Sequence, residues 1–100
     1  MIELDFAKVK AAAMVLRAVK NPLRQKLLFL IDKNPGIIVT KIYQEMKIEQ
    51  SVASQHLAIL RESGIVKTQR EGKSIRYFAD YDGIKEVSVL TEDLSKYFRA

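Results

Sequence analysis

Two serines, two glutamines and the chain's single histidine fall within residues 50–56, at the start of the stretch QSVASQHLAILRESGIV that runs to Val66. Three chemistries could use such a set. A serine nucleophile needs a base in reach, a group to orient that base and a pocket for substrate, and no such constellation is visible in the chain. A metal needs several nitrogen, sulfur or oxygen ligands together, yet there is no cysteine and no second histidine to join His56. Neither catalytic residues nor metal ligands are expected, and no cofactor is called for. The third chemistry is hydrogen bonding to base edges. Ala53, Leu57, Leu60 and Gly64 recur at i, i+4, i+7 and i+11, the spacing of one helix face, and Gly64 suits a left-handed end to that helix. With those residues inward, the 100° step turns Gln50, Ser51, Ser54, Gln55, Ala58 and Arg61 outward and leaves His56 at the boundary. A merely solvated helix would carry Glu and Lys on that face. Serine and glutamine instead suit hydrogen bonding to bases, Gln55 has the geometry for adenine, and Ala58 permits close approach or a thymine methyl. Taken singly, Ser51 reads equally well as a helix cap.

The charge balance points the same way. The 100-residue chain has a net charge of +5, and residues 7–79 hold fourteen Lys and Arg against five Asp and Glu, while both ends are acidic. A basic body between acidic ends suits a polyanion such as double-stranded DNA. The absence of cysteine excludes disulfides and thiol switches. The apolar run Leu27–Ile31 is far too short to span a bilayer, as is every other apolar run in the chain, and MIELDFAKVK lacks a basic-then-apolar signal pattern, so a soluble, cytoplasmic protein without membrane association is expected. The length fits one domain, residues 1–100, small enough that a partner subunit would help complete its core.

The elements that must hold the polar helix follow from the same periodicities. Val9, Ala12, Leu16 and Val19 predict a first helix. Asn21 as N-cap and Pro22 at the first helical position predict a second, with Leu23, Leu27, Leu30 and Ile31 as its stripe and Asn34-Pro35-Gly36 as its end. Val39, Ile42, Tyr43 and Met46 give a short third helix, separated from the polar one by Lys47-Ile48-Glu49, a helix-turn-helix pattern. After Gly64 the period changes to 2. Residues 65–70 and 74–79 flank Glu71-Gly72-Lys73 as a β-hairpin, with Ile75, Tyr77 and Ala79 on one face. Arg70, Lys73 and Arg76 surround its tip, where long cations can reach phosphates or a minor groove. Ile84, Val87, Leu90, Leu94 and Phe98 mark a closing helix, with Asp80 and Asp82 as caps or dipole charges at its start. The fold class is α+β, mainly α: four helices, a hairpin and a last helix.

LRAVKNPLRQKLLFLI at 16–31, VTKIYQEMKI at 39–48, SVASQHLAILRESGIV at 51–66 and REGKSIRYF at 70–78 together resemble the winged-helix regulators of the ArsR/SmtB type, over nearly the whole chain. The third segment is the most specific, for its serine, serine, His-Leu, leucine and glycine spacing. The resemblance implies a homodimeric, sequence-specific repressor that dimerises through its first and last helices, for which Val9, Leu16, Val87, Leu90, Leu94 and Phe98 are the candidate interface residues. Carried over by position, it places Ser51, Ser54, Gln55 and His56 in the DNA-facing part and Arg70, Lys73 and Arg76 in the wing; Gln50, Ala58 and Arg61, turned outward by the helical step, complete the candidate DNA contacts of that helix. Relatives sense metals through third-helix cysteines or last-helix Asp/His pairs; Val39, Thr40 and Lys41 stand here and the last helix lacks histidine, so metal sensing does not carry over and the inducer stays unknown. The turn also departs from the family's usual glycine and serine, with Lys47 where a left-handed residue is wanted and Glu49 where a serine cap is usual. That departure motivates an alternative, a winged-helix protein-interaction module with a vestigial DNA surface.

Overall fold

The computed structural model describes residues 5–86, so the candidate interface positions Val87, Leu90, Leu94 and Phe98 lie outside the described residues. Helix α1 spans Phe6–Val19 and starts where the Asp5 carboxylate accepts from the backbone N–H groups of Ala7 and Lys8. Helix α2, Pro22–Lys33, starts as its sequence predicts: Asn21 Oδ1 accepts from Leu23 N and Arg24 N, and Pro22 fills a position that needs no donor. Strand β1 (Ile37–Ile38), helix α3 (Val39–Met46), helix α4 (Gln50–Glu62) and strands β2 (Val66–Glu71) and β3 (Ser74–Ala79) follow, and residues 81–86 are helical.

The expected hairpin is part of a three-stranded antiparallel sheet in the order β1-β3-β2. β1 pairs Ile37 with Tyr77 and Ile38 with Arg76, and Gly36 N donates to Tyr77 O at 2.9 Å. In β3 the alternation is as the period-2 pattern requires, with Tyr77 and Ala79 buried and Ile75 half-buried. Gly72 takes φ +62° at the first position of a two-residue turn between Glu71 and Ser74, a conformation that glycine enters without a Cβ penalty.

Leu27, Ile31, Ile42, Leu57, Leu60 and Ile65 are the largest fully buried side chains, and they join α2, α3, α4 and the residue just before β2 in one core. Each such burial is worth about 1.5–3 kcal/mol, which makes this contact the chief force fixing α4 to the body. α1 presents a different stripe from the one its sequence spacing suggested. Ala12, Val15 and Ala18 are buried, whereas Leu16 is 47% exposed. The small alanines let α1 approach its neighbours closely, and that approach rotates Leu16 outward.

Asp80 Oδ1 accepts from Gly83 N at 3.1 Å and caps the helical residues 81–86. Gly83 is required by close approach, because a Cβ there would collide with Gly64 O. No helix among the described residues is long and apolar enough to cross a membrane.

Candidate nucleic-acid interface

The turn between α3 and α4 is built on Lys47, at φ 56° and ψ 44° the only non-glycine residue with positive φ among those described. Ile48 N donates to Tyr43 O at 3.1 Å and Lys47 N to Gln44 O at 3.2 Å, the paired bonds of a Schellman helix end. Ile48 and Tyr43 both pack against the core, which holds the turn closed around a lysine where glycine would be unstrained. Glu49 is the N-cap of α4 and makes no side-chain capping bond. α4 therefore begins without a side-chain acceptor from its N-cap for its first N–H groups, and the buried Ala53, Leu57 and Leu60 hold it against the core.

Gln50, Ser51, Ser54, Gln55 and Arg61 are exposed on α4, and Ala58 and His56 are half-buried. Apart from Arg61 and Glu62 in the last turn, the exposed polar residues of this outer face are uncharged and hydrogen-bonding. The Arg61 cation also acts on Tyr77, whose hydroxyl is pushed above the usual tyrosine range by burial and pulled back in part by that charge.

At the wing, Arg70 and Lys73 are exposed, and neither has a carboxylate within ion-pair distance among the described residues. Arg76 is held differently. Its Nε donates to Glu71 Oε2 at 2.7 Å and its Nη1 to Gly36 O at 2.9 Å, which ties β3 to the wing tip and to the turn before β1. The three cations expected at the wing thus divide into two that face solvent and one that braces the sheet.

Two residues that sequence reasoning passed over lie beside this surface. Arg24, in the first turn of α2, reaches back to the carboxyl end of α1 and across to His56, and Glu71 holds Arg76. No local signal joins residues 24 and 56, which meet only because α2 and α4 share the core. Glu71 was legible as a hairpin residue, and its pairing with Arg76 follows from register: Gln69 stands opposite Arg76, and Glu71, two residues on, shares the face of Gln69. Among the described residues no three His, Cys, Asp or Glu side chains gather as a metal site.

A helix set across a tight turn from its predecessor, polar outside and flanked by a cationic hairpin, is the geometry with which winged helix-turn-helix proteins engage duplex DNA. The chain belongs to the arsR family of bacterial regulatory proteins, whose pattern matches residues 21–68. An HTH-type transcriptional regulator of Methanocaldococcus jannaschii is 37% identical over 87 residues, 87% of this chain and 98% of that one. The transcriptional repressor PagR of Bacillus anthracis is 31% identical over 75 residues, 75% of each chain. Among solved structures, HlyU of Vibrio cholerae superposes with a TM-score of 0.69 at 29% identity, covering 99% of this chain and 100% of that one. The protein is a DNA-binding transcriptional regulator, and the family relationship favours that role over an interaction module with a vestigial DNA surface.

Proposed function

We propose that the protein is a cytoplasmic homodimeric repressor that reads a pseudo-palindromic operator without a metal cofactor. The observation that carries the reading is the outer face of α4, where Gln50, Ser51, Ser54 and Gln55 are exposed and uncharged, together with the wing cations Arg70 and Lys73, which have no ion-pair partner among the described residues. Phosphate contacts from the wing supply position and general affinity; the short polar side chains supply base readout. Gln55 is the residue assigned to adenine, Ala58 to close approach, and His56 to the inner edge of the reading face.

Dimerisation is assigned to α1 and the last helix. Phe6, Met14 and Leu16 are 78%, 38% and 47% exposed on α1, an apolar surface that the described core does not cover. Val9 and Leu16 from α1, with Val87, Leu90, Leu94 and Phe98, are the proposed interface. Two copies would present their α4 helices to successive major grooves about 34–36 Å apart.

Selection of bound fragments from a random duplex library at about 0.15 M salt, where general phosphate contacts are partly screened, tests the reading. Enrichment of an inverted repeat is the expected result, and a reporter placed behind that repeat then gives the sign of regulation. Failure of the folded protein to enrich any sequence would move the interaction-module reading ahead.

A further inference from the structure

Arg24 occupies an unusual place for a cation. It lies in the first turn of α2, where the helix dipole disfavours positive charge, and its own backbone N–H is held by Asn21 Oδ1 at 3.1 Å. Its side chain turns away from that dipole to the negative end of another helix: Nε donates to Ala18 O at 2.7 Å and Nη2 to Arg17 O at 3.3 Å, both in the last turn of α1. Helix capping accounts for those two contacts. It does not account for the third, in which Nη1 lies 3.2 Å from Nδ1 of His56, on the recognition helix.

The direction of that third bond follows from chemistry. A guanidinium has five N–H donors and no acceptor, and it keeps its proton in proteins, so Nδ1 of His56 must be the acceptor. An imidazole accepting at Nδ1 carries its hydrogen on Nε2 when neutral. The bond therefore fixes both the ring's orientation and its tautomer, and leaves an Nε2–H donor that has no partner among the described residues. A planar fork of fixed spacing joins the carboxyl end of α1, the α1–α2 corner and the reading head.

We propose that Arg24 is a positioning residue for operator recognition: by holding His56 as the Nε2–H tautomer against the end of α1, it sets the orientation of the recognition helix relative to the helix assigned to dimerisation. The inference rests on the DNA-reading role proposed for α4 and names the residue that transmits subunit geometry to it. Arg24 then affects discrimination between operator and random duplex, while leaving general electrostatic affinity, supplied by the wing, unchanged.

The test has one arm that needs no DNA and no variant. His56 is the only histidine, so the imidazole 15N long-range correlation spectrum of the unaltered protein needs no assignment. At about pH 8.5, above the usual imidazole range, it is expected to show a hydrogen on Nε2 and a bare Nδ1. A hydrogen on Nδ1, or an even mixture of tautomers, would overturn the proposal. The second arm compares binding of the selected operator and of random duplex by Arg24→Lys, His56→Leu and the double variant. Lysine keeps the charge and loses the fork. Arg24→Lys is expected to lower the operator-to-random ratio about tenfold, with random-duplex affinity unchanged, and to cost nothing further in the His56→Leu background. An unchanged ratio, or equal losses in both backgrounds, would reduce Arg24 to a cap for α1. If the unaltered protein shows the expected tautomer and no operator preference, the DNA-reading role itself fails, and the positioning role with it.

Discussion

Arg76 and Glu71 form an ion pair across the wing at 2.7 Å, so a carboxylate at the tip of the hairpin engages one of the three cations proposed for phosphate contact. The pair is exposed and contributes little to folding, about 0.2–1 kcal/mol. Its larger effect is on DNA. Glu71→Gln removes the competing carboxylate, and Arg76 becomes available to neutralise one more phosphate. The variant is expected to bind duplexes of every sequence several-fold more tightly, with the slope of log K against log salt steeper by about 0.9. Fluorescence anisotropy over a salt series measures both, and an unchanged slope would show that Arg76 stays with Gly36 O and braces the sheet alone.

The turn between α3 and α4 holds two residues that work against it. Lys47 is left-handed, a conformation that costs an L side chain about 1–2 kcal/mol, and Glu49 caps α4 with no side-chain bond. Lys47→Gly is expected to stabilise the fold by about 1 kcal/mol after the flexibility of glycine is counted, which raises the melting temperature by about 4–8 °C in a domain of this size. Glu49→Ser, measured separately, adds about 0.5–1 kcal/mol through a capping bond to the first turn of α4. Calorimetry reads each shift. A lower melting temperature for Lys47→Gly would mean that the lysine stem makes contacts outweighing its backbone strain.

These two sites show what kind of information the chain carries openly. The strain at Lys47 and the missing cap at Glu49 were legible because turns are local: a residue type set against a backbone requirement is enough. Asn21 with Pro22, Gly64 after α4, and the alternation of Ile75, Tyr77 and Ala79 are of the same kind. Strand β1 was not legible, because two residues, Ile37 and Ile38, have no period of their own and are strand only by pairing with β3. Which side of α1 packs inward was not legible for a related reason: Val9, Ala12, Leu16 and Val19 satisfy helical spacing, and only packing against α2 and α4 selects Ala12, Val15 and Ala18 as the buried stripe. Arg24 and His56 are 32 residues apart, and their contact is a product of the finished fold.

Alkaline pH should loosen the protein through Tyr77. Burial raises its hydroxyl above the usual value of about 10, with Arg61 opposing the shift only in part. A raised folded value means that the unfolded chain loses this proton first. The contribution is therefore fully present below about pH 10 and is lost as pH rises through the folded value. Tyr81 is raised as well, chiefly by its hydrogen bond to Asp32, and acts in the same direction from an exposed position. Urea unfolding between pH 8 and pH 11.5 is expected to show a steeper decline for the unaltered protein than for Tyr77→Phe. Parallel profiles would place the alkaline sensitivity elsewhere.

Leu16 separates folding from assembly. Its side chain is 47% exposed and lies outside the buried stripe of Ala12, Val15 and Ala18, so a charge there should cost the subunit fold no more than about 0.5 kcal/mol. In the proposed dimer the same position is covered, and Leu16→Glu on two copies buries two carboxylates near one another without partners, a cost that association cannot offset. Light scattering coupled to gel filtration is expected to give twice 11.4 kDa for the unaltered protein and 11.4 kDa for the variant, with an unchanged circular dichroism spectrum. The monomeric variant should bind an inverted-repeat operator far more weakly than the dimer, because the second half-site no longer adds to the first, and should bind a single half-site as the unaltered protein does. A Leu16→Glu protein that stays dimeric and keeps its operator affinity would remove this face of α1 from the interface.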